Sequence, residues 1–90
     1  MTTLDHIRAH RHCSQHRDEV MASEKCGCFY CCAIFPPSEI REWTDVHEFH
    51  PEGNTALCPT CSIDSVIGSE SGYPITEAFL KQMEAYWFRS

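Results

Sequence analysis

Seven of the 90 residues are cysteines, and four of them fall into two matched pairs, Cys28-Phe29-Tyr30-Cys31 and Cys58-Pro59-Thr60-Cys61. In a C-x-x-C turn the two intervening residues bend the backbone around an ion. Both sulfurs then reach the ion at about 2.3 Å while backbone N–H groups point at the thiolates. The pairs are separated by 26 residues, a gap suited to a four-cysteine zinc site. Pro59 favours the second bend by fixing its own backbone. Cys26 competes with Cys28 for the first pair through a different bend; otherwise Cys26 and Cys32 read as small apolar residues beside the site. No thioredoxin-like βαβ pattern surrounds either pair, which argues against redox chemistry. The spacing predicts a structural Zn2+ on Cys28, Cys31, Cys58 and Cys61. Four thiolates leave no open coordination position, so catalysis at that ion is not expected.

The histidines are the second chemical resource. His6 and His10 are four apart, as are His12 and His16, so each pair shares a side of a helix, with Cys13 near the first. They could hold a second metal ion; we favour a solvated polar helix with scattered histidines. A third alternative is a pH-sensitive contact, since four histidines would charge together near pH ~6–6.5. A different set runs Cys28 and Cys31, Asp45 and His47, Asn54, then Cys58 and Cys61. The same order occurs in zinc-containing HNH nucleases, where histidine activates water and a divalent ion stabilises the leaving oxygen. The match is poor: the aspartate and histidine are not adjacent, and no His or Asn follows Cys61 to complete an ion site. The chain has no Ser-His-Asp set, phosphate loop or H-E-x-x-H.

Ninety residues make one domain whose core alone is marginal, and a bound metal is a standard supplement. The net charge of −6 is uneven. The first 25 residues balance Arg8, Arg11, Arg17 and Lys25 against four acids, while the remainder carries three basic and nine acidic groups. Zinc on four thiolates adds about two more negative charges. Nucleic-acid affinity rests on Lys and Arg contacts to phosphate, so nucleic acid is not the expected partner and a protein is. Met1-Thr2-Thr3-Leu4-Asp5-His6 lacks the basic and apolar regions of a signal peptide. The longest apolar stretch, 28–35, is far too short to span a membrane. With an odd cysteine count, these features predict a reducing, cytoplasmic setting.

Elements must bring the pairs together. Residues 1–25 read as a His-rich N-terminal helix, spanning 3–24, with Thr2 and Asp5 as a capping box. Residues 26–90 read as the zinc-binding domain. Within it, 26–35 suits strand, knuckle, strand, and Pro36-Pro37 ends that unit. Ser38 caps a short helix over 39–44, whose Ile40 and Trp43 face the core. Residues 45–54 read as a loop, 55–57 as strand-like, 62–67 as a returning strand and 68–72 as a turn. Thr76 caps a final helix to Phe88 with a broad apolar face of Ile75, Phe79, Leu80, Met83, Tyr86 and Trp87. The expected fold is a small α+β domain, zinc-ribbon-like or treble-clef-like, with N-terminal and C-terminal helices. A ribbon sets both knuckles on hairpins, whereas a treble clef sets the Cys58 pair at a helix start. The β-branched run 63–67 favours the ribbon.

Several strings carry a resemblance: Cys26-Gly27-Cys28-Phe29-Tyr30-Cys31, Phe35-Pro36-Pro37 with Glu39-Ile40 and Trp43, Thr55-Ala56-Leu57-Cys58-Pro59, and Ile63-Asp64-Ser65-Val66-Ile67-Gly68. Together they resemble a family of small bacterial zinc-ribbon-like proteins that carry only the label "cytoplasmic protein". The resemblance covers about two-thirds of the chain. It implies a metal and a location and supplies no activity. Ser62 stands where that family more often has glycine, which strains the turn if φ is positive there. The second knuckle is also similar to zinc ribbons in general, which serve in transcription, in translation and as docking modules.

Three functions follow as expectations. The first is a non-enzymatic zinc module that binds a protein. Trp43, Phe49, Tyr73, Trp87 and Phe88 exceed what a zinc core needs, and aromatic residues anchor interfaces. Trp43 reads as core; Trp87 and Phe88 either cover the knuckles or pair two subunits as a homodimer. In a sharper form, Glu39, Glu42, Asp45, Glu48 and Glu52 make the chain an acidic regulator or inhibitor that competes with nucleic acid for a basic partner. The second is a nucleic-acid-binding ribbon using Arg8, Arg11 and Arg17. The third is the HNH-like nuclease.

Overall fold

Strand alternation organises this molecule. The computed structural model describes residues 5–46 and 48–89. Strands β1 (Cys26–Cys28), β2 (Ile34–Phe35) and β5 (Val66–Gly68) form an antiparallel sheet with β1 in the middle. Gly27 lies opposite Ile34 and Ile67, and Cys28 lies opposite Val66. Successive side chains point to opposite faces. Cys26, Cys28 and Val66 therefore join one buried cluster with Val20, Phe35 and Cys58. Ile67 joins the other with Phe29, Phe79, Leu80 and Met83. Cys26 is thus a core residue two positions before a cysteine of the metal group.

Helix α3 (Glu77–Phe88) covers the second face, and Thr76 caps it by accepting the Phe79 N–H at 3.2 Å. Phe79, Leu80 and Met83 are the buried stripe. Gly27 lets this helix approach: a Cβ there would sit 2.7 Å from Leu80 Cδ1 and 3.0 Å from Ile75 Cγ2. Sequence and structure agree here in the cap, the end and the buried Phe79, Leu80 and Met83, whereas Tyr86 and Trp87, expected on the same apolar face, are exposed.

The N-terminal segment differs from expectation. In place of one helix over 3–24 there are α1 (Asp5–Arg8), a 3-10 turn (Ala9–His12), and α2 (Arg17–Met21). The polar middle has no apolar stripe to hold a continuous helix on the core. Instead the chain breaks at Gln15, with φ 51°, and its backbone bonds elsewhere. The Gln15 N–H donates to Thr55 Oγ1 at 2.9 Å, His16 N–H to Asn54 O at 2.7 Å, and Arg17 N–H to Asn54 Oδ1 at 3.1 Å. Ala9 and Cys13 enter the same cluster as Phe29 and Leu80. The capping box involves Thr2, outside the described residues.

The helix expected over 39–44 is also absent. A 3-10 turn covers Pro37–Glu39, Ile40 is extended, and β3 (Trp43–Thr44) pairs antiparallel with β4 (Thr55–Ala56). Ile40 is buried in the first cluster and Trp43 packs against it, so both reach the core through extended backbone. Between these strands Gly53, with φ 106°, allows the turn back into β4. The returning strand is shorter and later than 62–67, since only Val66–Gly68 pairs with β1. The Cys58 pair leads into that strand, and α3 starts only at Glu77. The treble-clef arrangement, with the second pair at a helix start, is therefore not adopted. Val66 and Ile67 are β-branched and extend beside β1 instead. The architecture is a small α+β fold of short antiparallel strands and helices.

Candidate metal centre

Two loops of matching geometry build the site. After Cys28 the Cys32 N–H donates to Cys28 O at 2.8 Å, and the Cys28 N–H donates to Ala33 O at 2.9 Å. After Cys58 the Ser62 N–H donates to Cys58 O at 2.9 Å, and the Cys58 N–H donates to Ile63 O at 3.0 Å. Within each loop an N–H two residues on donates to sulfur: Tyr30 to Cys28 Sγ and Thr60 to Cys58 Sγ, both at 3.3 Å. Each loop closes with a left-handed residue, Cys32 at φ 64° and Ser62 at φ 67°. The strain expected at Ser62 is thus realised, and Cys32 shares it.

The sulfurs of Cys28, Cys31, Cys58 and Cys61 lie within 4.8 Å of one another, the only such group of three or more ligand residues among the described residues. Cys28 and Cys61 are 3.6 Å apart, and Cys31 and Cys58 are 3.7 Å apart. A tetrahedron with metal–sulfur bonds of ~2.3 Å has edges of about 3.8 Å. All four are free cysteines. The set can hold a metal ion. Cys28 and Cys58 are buried, Cys61 is half-buried and Cys31 is exposed. The ion position is therefore walled on one side by core and open to solvent at Cys31.

Electrostatics support a cation. Though its residue is exposed, partial desolvation of the sulfur, with the neighbouring Cys28 and Cys58, pushes the Cys31 thiol up to about 11, and desolvation raises Cys61 as well. Burial would also raise Cys58, but the N–H groups of Cys61 and Thr60 together with the thiols of Cys31 and Cys61 outweigh it and hold Cys58 below the usual thiol value. Four thiolates this close repel one another without a central positive charge. Ser65 adds a buried hydroxyl 3.1 Å from Cys28 Sγ, steadying a ligand from outside the site. Nothing in the sequence marks Ser65 for this place; only the pairing of Cys28 with Val66 brings it there.

The histidines are distributed rather than gathered. His16 is buried, with Nδ1 on the His12 carbonyl and Nε2 accepting the Ala56 N–H at 3.0 Å, so both ring nitrogens serve the backbone. His12 Nδ1 meets the Glu19 carboxylate at 3.0 Å. His10 lies against Trp87 with centroids 3.9 Å apart and the rings tilted by 34°, and His6 meets Tyr86 edge-on at 5.4 Å.

Of the nuclease-like set, His47 lies outside the described residues. Asp45 accepts the Thr55 hydroxyl. Asn54 is buried, accepting from Arg17 N–H and donating to Gln15 Oε1 at 3.0 Å. Asn54 thus joins the N-terminal segment to the start of β4, while Asp45 ties the end of β3 to it.

Of the aromatic residues, Trp43 is half-buried under the Arg17 guanidinium, 4.3 Å from its ring centre. Phe88 lies over the first knuckle, 5.8 Å from Phe29 and 4.8 Å from Tyr30. Trp87 donates its indole N–H to His6 O at 3.1 Å. Covering the knuckle is thus what Phe88 does, while its ring remains 43% exposed.

No family model, curated protein or solved structure matches the chain. Among the described residues no helix is long and apolar enough to cross a membrane.

Proposed function

We propose that the chain is a zinc-stapled, non-catalytic module that engages a protein partner in the cytoplasm. The tetrahedral spacing of four sulfurs carries the metal half of this reading. Zinc suits it best because a closed four-thiolate set with N–H groups aimed at sulfur needs no redox change or open position. The zinc-ribbon likeness of the two knuckles, each set before an extended segment, belongs to the same reading. Support for a partner comes from the acidic balance of the chain, −6 before the metal is counted, and from exposed Tyr30, Tyr86, Trp87 and Phe88. The ring contacts Tyr86–Trp87 at 4.8 Å and Tyr30–Phe88 at 4.8 Å gather these rings at the last turn of α3 and the first knuckle.

The test combines metal analysis with capture. One zinc per chain is expected, with a protein retained from lysate at low salt and released at high salt. A coloured, iron-bearing sample would refute the zinc assignment. Retention of nucleic acid in place of protein would favour the ribbon's other common use. Sedimentation of the purified chain decides whether a second copy covers the aromatic side.

A further inference from the structure

A concavity lies beside the metal centre, where the chain after the second knuckle meets the end of α3. It is a cleft of about 350 Å³. Its apolar lining is Phe29, Ile63, Cys13 and Phe88. Its polar lining includes Asp64, His10 and Ser65. Phe29 is buried, so the accessible aromatic surface is that of Phe88, 43% exposed.

Charge distinguishes this cleft. Asp64 is exposed at its edge, and no hydrogen bond or ion pair reaches that carboxylate among the described residues. No lysine or arginine lines the cleft. Of the cations nearby in α3 and beyond, Lys81 is engaged by Glu77 at 2.8 Å and Arg89 by Glu84 at 2.8 Å. The wall contributed by Ser65 is one hydroxyl thick: its Oγ is 3.1 Å from Cys28 Sγ. Four thiolates around a divalent ion carry about −2. An aromatic surface, an unpaired carboxylate and an anionic cluster behind a hydroxyl make one small volume selective for positive charge.

We infer that this cleft receives an arginine side chain of the protein partner. The inference rests on the partner-binding reading above and names the chemistry of the contact. A guanidinium suits it better than an ammonium. Its planar face stacks on an aromatic ring while its N–H fork meets a carboxylate, and it is less strongly hydrated.

The probe is the tripeptide acetyl-Gly-Arg-Gly-amide, titrated into the zinc-loaded full chain at pH 7.5 and followed by amide NMR. Saturable shifts are expected at Ser14, Asp64 and Ser65. Asp64→Asn should weaken binding at least tenfold. The citrulline tripeptide, a neutral isostere, should bind at least tenfold more weakly than the arginine one. Asp64 has no partner to lose, so the variant keeps its fold, which an unchanged amide spectrum away from the cleft verifies. Absent shifts, shifts mapping elsewhere, equal binding of citrulline, or binding unchanged in D64N would each overturn the inference. Lysate capture separates it from the broader reading. Partner retention undiminished in D64N overturns the cleft and spares partner binding. An empty wild-type capture removes partner binding, while the tripeptide shifts still decide the cleft.

Discussion

Ser62 shows how much a single residue can disclose. Its left-handed φ of 67° is the conformation that glycine adopts freely and other L-residues adopt at a cost. Ser62→Gly should therefore raise stability by about 0.5–1 kcal/mol, after the added freedom of the unfolded glycine is counted. Urea unfolding of the zinc-loaded protein measures it; no gain would mean that the turn relaxes around serine. Cys32 shares the conformation but also packs against the core, so glycine there removes a contact as well. His16 gives a pH dependence. Burial holds its pKa below the ordinary 6.5, so the folded chain keeps it neutral while the unfolded chain takes up a proton. Its contribution is present above pH ~6.5 and is lost as pH falls below that value, toward and through the lowered folded pKa. Unfolding between pH 7.5 and 5 should show a steeper loss in the wild type than in His16→Gln. At this scale the four sulfur ligands were legible from spacing alone. The task of His16 was not, because its Nε2 bond depends on a strand 40 residues away.

Elements were legible where local chemistry acts alone. Helix α3 has a cap, an apolar stripe and no interruption, and it forms as its sequence dictates. The N-terminal segment has none of these in its middle, and long-range bonds from Gln15, His16 and Arg17 to residues 53–56 decide its path. The extended course of 40–44 is likewise set by pairing with Thr55 and Ala56, which composition does not reveal. Gly27 is the tightest junction between elements. Gly27→Ala should cost about 1–3 kcal/mol, because its Cβ would meet Leu80 at 2.7 Å in a packed core. Adding Leu80→Ala should make the double variant more stable than the sum of the two single losses. Strict additivity in thermal unfolding would show that the clash is relieved some other way.

Among the described residues two apolar clusters lie on either side of one short sheet, and Cys28 and Cys58 belong to one of them with Cys61 packed against it. A core of this size is marginal, whereas structural zinc contributes on the order of 10–16 kcal/mol of apparent binding energy near neutral pH. Excess chelator should therefore abolish the cooperative unfolding transition and the near-ultraviolet circular dichroism, and restored zinc should return both. A chelated chain that still melts cooperatively would mean that the clusters suffice. Affinity for the ion should fall with acid, since bound thiolates exchange with protons. The overall class was readable from composition and cysteine spacing; the partition into two clusters was not, because it follows from the alternation of Cys26, Gly27 and Cys28 across β1. The paired knuckles carry one more consequence. Each half of the chain owns half of the ion's cage, and the connection between them passes through an exposed turn at Phe49. Cutting the backbone there would leave two fragments, neither able to enclose the ion alone, whose complementation in a mixture would report free zinc.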